Sequence, residues 1–254
     1  GASFQDQTRW YCSSECDIAD DYSQGLEPVF GRRYPMWKRM FDLLVATAIL
    51  IICSPILLSV ALFIKIVSPG PILFKQERVG YLGRRYTLWK FSSMHVENDA
   101  SQHRAYLHDL IKNGEAMTKM EDDPRIIPLG KYLRASGVDE LPQLINVLRG
   151  EMSLIGPRPP IPYEVERYHR WFHGRFDTMP GLTGLWQVSG KNRLSFQEMI
   201  RLDIRYKKRL SFFSDIIILL RTPAAVWQQM VGFLPFQHKG AHAKMLKQGI
   251  KNNA

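Results

Sequence analysis

At 254 residues the chain has room for one large domain or two small ones, and 45% hydrophobic against 23% charged residues excludes disorder throughout. A net charge of +10 asks for an acidic partner, and charge alone does not choose among nucleic acid, an anionic membrane surface and phosphate-bearing substrates.

Gly1-Ala2-Ser3 lacks an initiator Met and reads as a cleavage scar or an internal start. Residues 1–36 are polar, with Asp17, Asp20 and Asp21, and show no helix or strand period; they are expected to be a tail or linker. Cys12 and Cys16 lie there without the further ligands of a structural zinc site, and Cys53 is the third cysteine, so a reducing compartment is favoured. Lys38 and Arg39 then open an uncharged stretch from Leu43 to Ile64, long enough for the roughly 20 residues of a membrane helix. Ser54-Pro55 near its middle removes a backbone donor, and a bend is expected. Two arrangements remain open on physical grounds. A bent helix returns to the side it entered, which suits the basic residues Lys38, Arg39 and Lys65 at both ends; a kinked helix spans.

Beyond the Ser68-Pro69-Gly70-Pro71 turn cluster, Ile72-Leu73-Phe74 and Tyr86-Thr87-Leu88-Trp89 flank a glycine-rich turn from Gly80 to Gly83 and predict a β-hairpin. Residues 95–120 read as surface helix. Leu141, Leu144, Ile145 and Leu148 repeat at helical spacing, which puts Asp139-Glu140 in the first turn of a helix that tolerates Pro142 there and stops near Gly150. Gly156 to Pro162 and Pro180 to Gly184 read as irregular loops. Residues 193–209 are helical in pattern. Phe212 to Leu220 and Ala224 to Phe236 form two apolar stretches broken at Thr222-Pro223, suited either to a core or to the bilayer interface.

Two carboxylates at a helix start are commonly no more than a favourable match to the helix dipole. Here they stand among Asp122-Asp123-Pro124-Arg125, Arg134, Arg149 and Gly156-Pro157-Arg158-Pro159, so groups able to hold a metal lie among groups able to hold phosphates. Phosphoryl transfer is catalysed mainly by such positioning and charge neutralisation, and an aspartate can carry the phosphoryl group covalently. The residues themselves lead to metal and phosphate chemistry beside a membrane.

Several blocks in order carry a resemblance: Lys38 to Asp42 before the Ser54-Pro55 segment, residues 68–80, Trp89-Lys90-Phe91 with Ser93-Met94, residues 123–126, 138–153, Gly156-Pro157-Arg158-Pro159 and residues 180–190. From about residue 37 to 230 the chain resembles the monotopic polyprenyl phosphate phosphoglycosyl transferases, or bacterial sugar transferases. Two departures are visible: Ser92 stands where the family usually has an arginine, and Gly137-Val138 where it usually has Ser-Leu.

The resemblance implies a mainly α protein with a short β-hairpin (α+β): a tail (1–36), a re-entrant membrane helix (37–66) held by Ser54 and Pro55, a cytoplasmic catalytic domain with interfacial amphipathic helices (67–236) and a basic tail (237–254). It implies a ping-pong reaction in which Asp139 attacks the β-phosphate of a UDP-sugar, UMP leaves, and undecaprenyl phosphate takes the phosphosugar. Glu140 would bind Mg²⁺. Arg134, Arg158 and Asp203 would line the active site, and Lys38 and Arg39 would face the lipid headgroup. The protein would sit on the cytoplasmic face of a bacterial inner membrane, among membrane lipid, and feed downstream glycosyltransferases of a surface-glycan pathway. A homodimer is one option for its assembly, and no nucleic acid is expected. Two rivals lie elsewhere: a membrane-anchored nucleic-acid-binding or scaffold protein, against which the scattering of basic residues among Pro-Gly loops speaks, and a metal-dependent phosphohydrolase needing no lipid acceptor.

Overall fold

In the computed structural model, residues 34–94, 126–190 and 194–232 are described. The Asp122 to Arg125 block, the helix expected over 95–120 and most of both expected tails lie outside them. The described chain is mostly helical with two small two-stranded sheets, as the α+β reading requires.

Helix α1, Met36–Val67, runs 32 residues and continues through Pro55 without a break. Proline cannot donate to the Ile51 carbonyl one turn back, and the Ser54 hydroxyl donates to it instead at 2.8 Å, which is how the Ser-Pro pair keeps the helix intact. Its most apolar 18-residue window has a mean hydropathy of 2.6 and is only 6% buried, with Leu44, Ile51, Ile52, Leu58 and Leu62 exposed. In water such a surface would be costly, and a bilayer removes that cost.

The two ends of α1 are nonetheless fixed to one protein body. Phe41, Val45, Ala46, Ile49 and Leu50 join the main core; Leu57, Val60, Ala61 and Ile64 join a separate cluster with Phe91 and Ile127. At the start of the helix, fully buried Lys38 donates to Asp215 Oδ2 at 2.5 Å, and the Tyr206 hydroxyl donates to Asp215 Oδ1 at 2.7 Å. One turn on, buried Asp42 accepts from Tyr34, from Ser153 Oγ at 3.0 Å and from the Leu154 amide at 3.0 Å.

Strands β1 (Leu73–Val79) and β2 (Arg85–Phe91) form the expected antiparallel hairpin, paired Leu73 to Phe91 through Val79 to Arg85. After α2 (Gly130–Ser136), the run that carries Asp139-Glu140 begins as a 3₁₀ segment, Val138–Gln143, and becomes α3 only at Leu144–Arg149. The expected single helix is thus divided; Pro142 lacks the amide that α-helical bonding would need next. Gly150, at φ 81°, ends it as expected.

Of the two Pro/Gly stretches expected to be irregular, residues 156–161 are so, whereas Pro180 to Gly184 contains strand β4 (Gly181–Thr183), which pairs in parallel with β3 (Ser153–Ile155) just before Gly156. Gly156 and Gly181 permit it: a Cβ on Gly156 would lie 2.1 Å from the Met179 carbonyl oxygen, and one on Gly181 2.0 Å from the Gly156 nitrogen. Short helices α4 (Pro162–Val165) and α5 (Leu185–Val188) and the 3₁₀ segment Arg170–Asp177 lead to α6 (Phe196–Lys208), opened by a Ser195/Glu198 capping box. The first of the two apolar stretches expected after Phe212 and the described part of the second, up to Gly232, are one helix, α7 (Phe212–Gly232), with Pro223 inside it. Phe213, Leu220 and Trp227 on it are exposed while Ile218 is buried, an amphipathic surface.

A second buried ion pair ties α6 to the loop before α4. Arg175 Nη2 donates to Asp203 Oδ2 and to the Arg158 carbonyl, each at 2.7 Å, with both ion-pair partners buried. Burial pushes the Asp203 carboxyl up to about 7 against the pull of Arg175.

Lys38→Met is expected to destabilise the detergent-solubilised protein by about 3–5 kcal/mol, because it strands the Asp215 carboxylate, and Lys38→Met with Asp215→Leu should recover most of the loss; thermal midpoints of the three proteins decide it. For Asp203, an acid with a higher pKa folded than unfolded takes up a proton on folding between 3.8 and about 7, so its contribution to stability rises as pH falls through that window. The stability of wild type relative to Asp203→Asn should therefore increase on acidification, and urea midpoints that stay parallel across that range would contradict it.

Candidate active site

Asp139 and Glu140 sit in the 3₁₀ segment directly after Gly137, whose φ of 71° reverses the chain between α2 and the dyad. Asp139 is 4% exposed and Glu140 half-buried. At three residues per turn their side chains diverge by about 120°, which lets one face a reacting phosphorus while the other faces a cation.

Asn146 braces this segment against the hairpin. Fully buried on α3, it accepts from the Trp89 amide at 3.2 Å and donates to the Thr87 carbonyl at 2.7 Å and to Glu151 at 2.6 Å. The outer edge of β2 is thereby satisfied by a side chain instead of a third strand, and Lys90 on β2 is delivered to the dyad.

Burial holds the Lys90 pKa below its ordinary range; Asp139 and Glu140 act against that, while Arg78 and Arg134 add to it. Arg78 is brought down to about 10, first by burial and then by Arg158, with Glu164 and Glu140 opposing. Four cations, Arg78, Lys90, Arg134 and Arg158, thus share one electrostatic neighbourhood with two dyad carboxylates, an excess of positive charge fit for a diphosphate.

Arg134 comes from the last turn of α2 and Arg158 from the loop after β3, which is held at three successive carbonyls: Arg158 by Arg175 at 2.7 Å, Pro159 by Arg78 at 2.8 Å and Pro160 by the Val79 amide at 3.0 Å. Asp203 reaches this site through Arg175, as a positioning residue.

Lys38 and Arg39 depart from the expected headgroup contact. The Lys38 ammonium is enclosed by Asp215, and Arg39 donates to the Val147 and Leu148 carbonyls at 2.6 and 2.8 Å, capping the C-terminus of α3. Their sequence position at a membrane boundary suggested lipid; the unpaired carbonyls of a short helix and the buried carboxylate of Asp215 claim them instead. Ser54 and Pro55 lie within α1, where the Ser54 hydroxyl donates to the Ile51 carbonyl.

Sequence reading did not single out Lys90 and Arg78. Both lie in blocks that carried the family resemblance, and their register signals them: Arg78 pairs with Tyr86 and Lys90 with Phe74 in an antiparallel ladder, so period 2 sets both on one face of the hairpin.

Among the described residues, no group of three or more His, Cys, Asp or Glu side chains gathers to hold a metal ion. The dyad does not fit an all-protein cage. It fits Mg²⁺, which keeps several waters and is bound through one or two carboxylates together with substrate phosphates.

The chain matches the profile of the bacterial sugar transferase family over residues 33–229. It is 41% identical over 186 residues to the galactosyl transferase CpsE of Streptococcus agalactiae, a match covering 73% of this chain and 41% of that protein. It is 36% identical over 193 residues to the exopolysaccharide production protein ExoY of Rhizobium meliloti, covering 75% and 85%. To the UDP-glucose:undecaprenyl-phosphate glucose-1-phosphate transferase of Escherichia coli it is 36% identical over 194 residues, covering 73% and 39%. The chain thus spans most of one relative and about two fifths of the other two. A family profile matched across most of the described fold, its dyad and its cation cluster included, means that this chain belongs to the bacterial sugar transferases.

Proposed function

We propose that the protein moves a sugar-1-phosphate from a UDP-sugar to undecaprenyl phosphate, giving undecaprenyl diphosphate-sugar and UMP, as an early membrane step of exopolysaccharide or capsule synthesis. The observation that carries this reading is the Asp139-Glu140 pair set among four cations in a protein that exposes a long apolar helix. The name of the E. coli relative supplies the donor and acceptor classes, and those of CpsE and ExoY supply a galactosyl transferase and an exopolysaccharide pathway.

In this mechanism an Asp139 carboxylate oxygen attacks the β-phosphorus of the donor. The bond from that phosphorus to the bridging oxygen breaks, and UMP leaves with the electron pair. Lys90, Arg134 and Arg158 hold the phosphate oxygens on which charge accumulates. A phosphate oxygen of undecaprenyl phosphate then attacks the same phosphorus and expels the Asp139 carboxylate. Glu140 would hold Mg²⁺, which when bound supplies charge neutralisation at the diphosphate.

We read α1 as re-entrant, with both ends and the catalytic body on the cytoplasmic face. The packing of residues 41–50 and 57–64 on one protein body supports this, since a spanning helix carries its far end away from that body. The exposed Phe213, Leu220 and Trp227 face of α7 would lie in the same leaflet interface.

Asp139→Asn is expected to lower turnover by about 10³-fold or more, and in wild type a UDP-sugar without acceptor should leave a phosphosugar mass adduct that maps to Asp139. Lys90→Met should cost about 10²-fold in kcat/KM, and Glu140→Gln or chelation of Mg²⁺ should abolish UMP release. Release of UMP from no UDP-sugar by folded protein would defeat the reading. For topology, Met36→Cys and Ile66→Cys, made in a background without the three native cysteines, should both react with a membrane-impermeant thiol reagent from the cytoplasmic side. Labelling from opposite sides would make α1 a spanning helix.

A further inference from the structure

Beside the charged cluster, and separate from it, an open groove of about 550 Å³ runs between the second half of α1 and two other helices. Pro55, Ile56, Val60 and Phe63 form one wall; Leu129, Tyr132 and Leu133 form the other, with Met230 of α7 at the margin. The groove is almost wholly apolar. Its two serine hydroxyls are turned inward on the backbone, Ser59 to the Pro55 carbonyl at 2.8 Å and Ser136 to the Leu133 carbonyl at 3.0 Å.

Three observations indicate what fills it. Leu129 and Tyr132 are 57% and 59% exposed although they line a concave surface, and Leu129 is held at φ 58°, a left-handed conformation that a leucine rarely adopts. The groove is continuous with the exposed apolar surface of α1 through Ile56, so an occupant can enter from lipid without crossing water. The same helix α2 that lines the groove with Tyr132, Leu133 and Ser136 supplies Arg134 to the cation cluster and ends at Ser136, three residues before Asp139. An apolar groove that opens to lipid along α1 and shares helix α2 with the neighbouring cations is complementary to a long hydrocarbon chain with a phosphate head.

Resting on the transferase reading above, we propose that this groove binds the polyisoprenyl chain next to the phosphate of the acceptor and so selects for chain length. Its apolar walls stabilise the long acceptor by burial, to which a short isoprenoid phosphate contributes little. Leu129, Tyr132 and Ser59 are specificity residues in this proposal and take no part in the chemistry.

The test uses the full chain in nanodiscs with two acceptors, undecaprenyl phosphate and geranyl phosphate. Leu129→Gln and Tyr132→Ser, which alter exposed wall residues, and Ser59→Trp, which fills the groove, should each shrink the preference for the long acceptor, read as the ratio of KM values, by about tenfold or more. An unchanged ratio in all three overturns the proposal. Binding is read independently of turnover by placing a photoreactive benzoylphenylalanine at position 59. Crosslinking to undecaprenyl phosphate, competed by unlabelled undecaprenyl phosphate and not by phosphatidylglycerol, supports the groove even if no UDP-sugar is turned over. Crosslinking competed equally by phosphatidylglycerol assigns the groove to bulk lipid, and crosslinking to a second copy of the chain assigns it to self-association; either result overturns the proposal while leaving the catalytic reading to its own assays.

Discussion

The fully buried contact between Lys38 and Asp215 decides how the apolar helix meets the rest of the molecule. A charge removed from water must be paired at close range, and this pair joins the first turn of α1 to the start of α7 across 177 residues of chain. Asp42, one turn along, binds the β3 backbone and Ser153 in the same way. Hydrophobic contact alone would let an apolar helix slide or rotate against its core, because dispersion is not directional. Two buried polar locks one turn apart fix its register and its rotation.

From that register the catalytic geometry follows. Arg39, next to the lock, caps α3 at the Val147 and Leu148 carbonyls; α3 carries Asn146, which binds the edge of β2; and β2 brings Lys90 against Asp139 and Glu140. The loop bearing Arg158 is held from the other side by Arg175, itself paired with Asp203. Apart from the Arg175–Asp203 pair, these supports are side chains satisfying backbone carbonyls or amides that regular secondary structure leaves open. A site assembled from short helices, 3₁₀ turns and three-residue strands has many such groups, and satisfying them is what makes it rigid.

The surface has a matching division. Apolar residues exposed on α1 and α7 suit a bilayer, while the cations gathered by β1, β2, α2 and the loop after β3 suit phosphates. The reaction proposed above, between a water-soluble nucleotide-sugar and a lipid-soluble phosphate, needs both kinds of surface, and the groove is lined by α1 of the one and α2 of the other.

The sequence by itself determined the elements whose signal is local: the uncharged run of α1, the hairpin around Gly80 to Gly83, the helix ending at Gly150 and the unusual density of carboxylates and arginines around Asp139. The resemblance to the family implied that Arg134 and Arg158 belong with the dyad. Tertiary structure decided what depends on partners distant in the chain. Lys38 and Arg39 look like membrane-boundary charges because their neighbours in sequence are apolar; their bonding partners are Asp215 and the end of α3, which no local pattern reveals. Asp203 reads as a surface residue in a charged helix, and only the arrival of Arg175 makes its burial tolerable. The β3 and β4 pairing hides in proline-rich text because two glycines allow backbones to approach where any side chain would collide. Periodicity records which face of an element is buried, whereas the identity of what buries it is set by the fold as a whole.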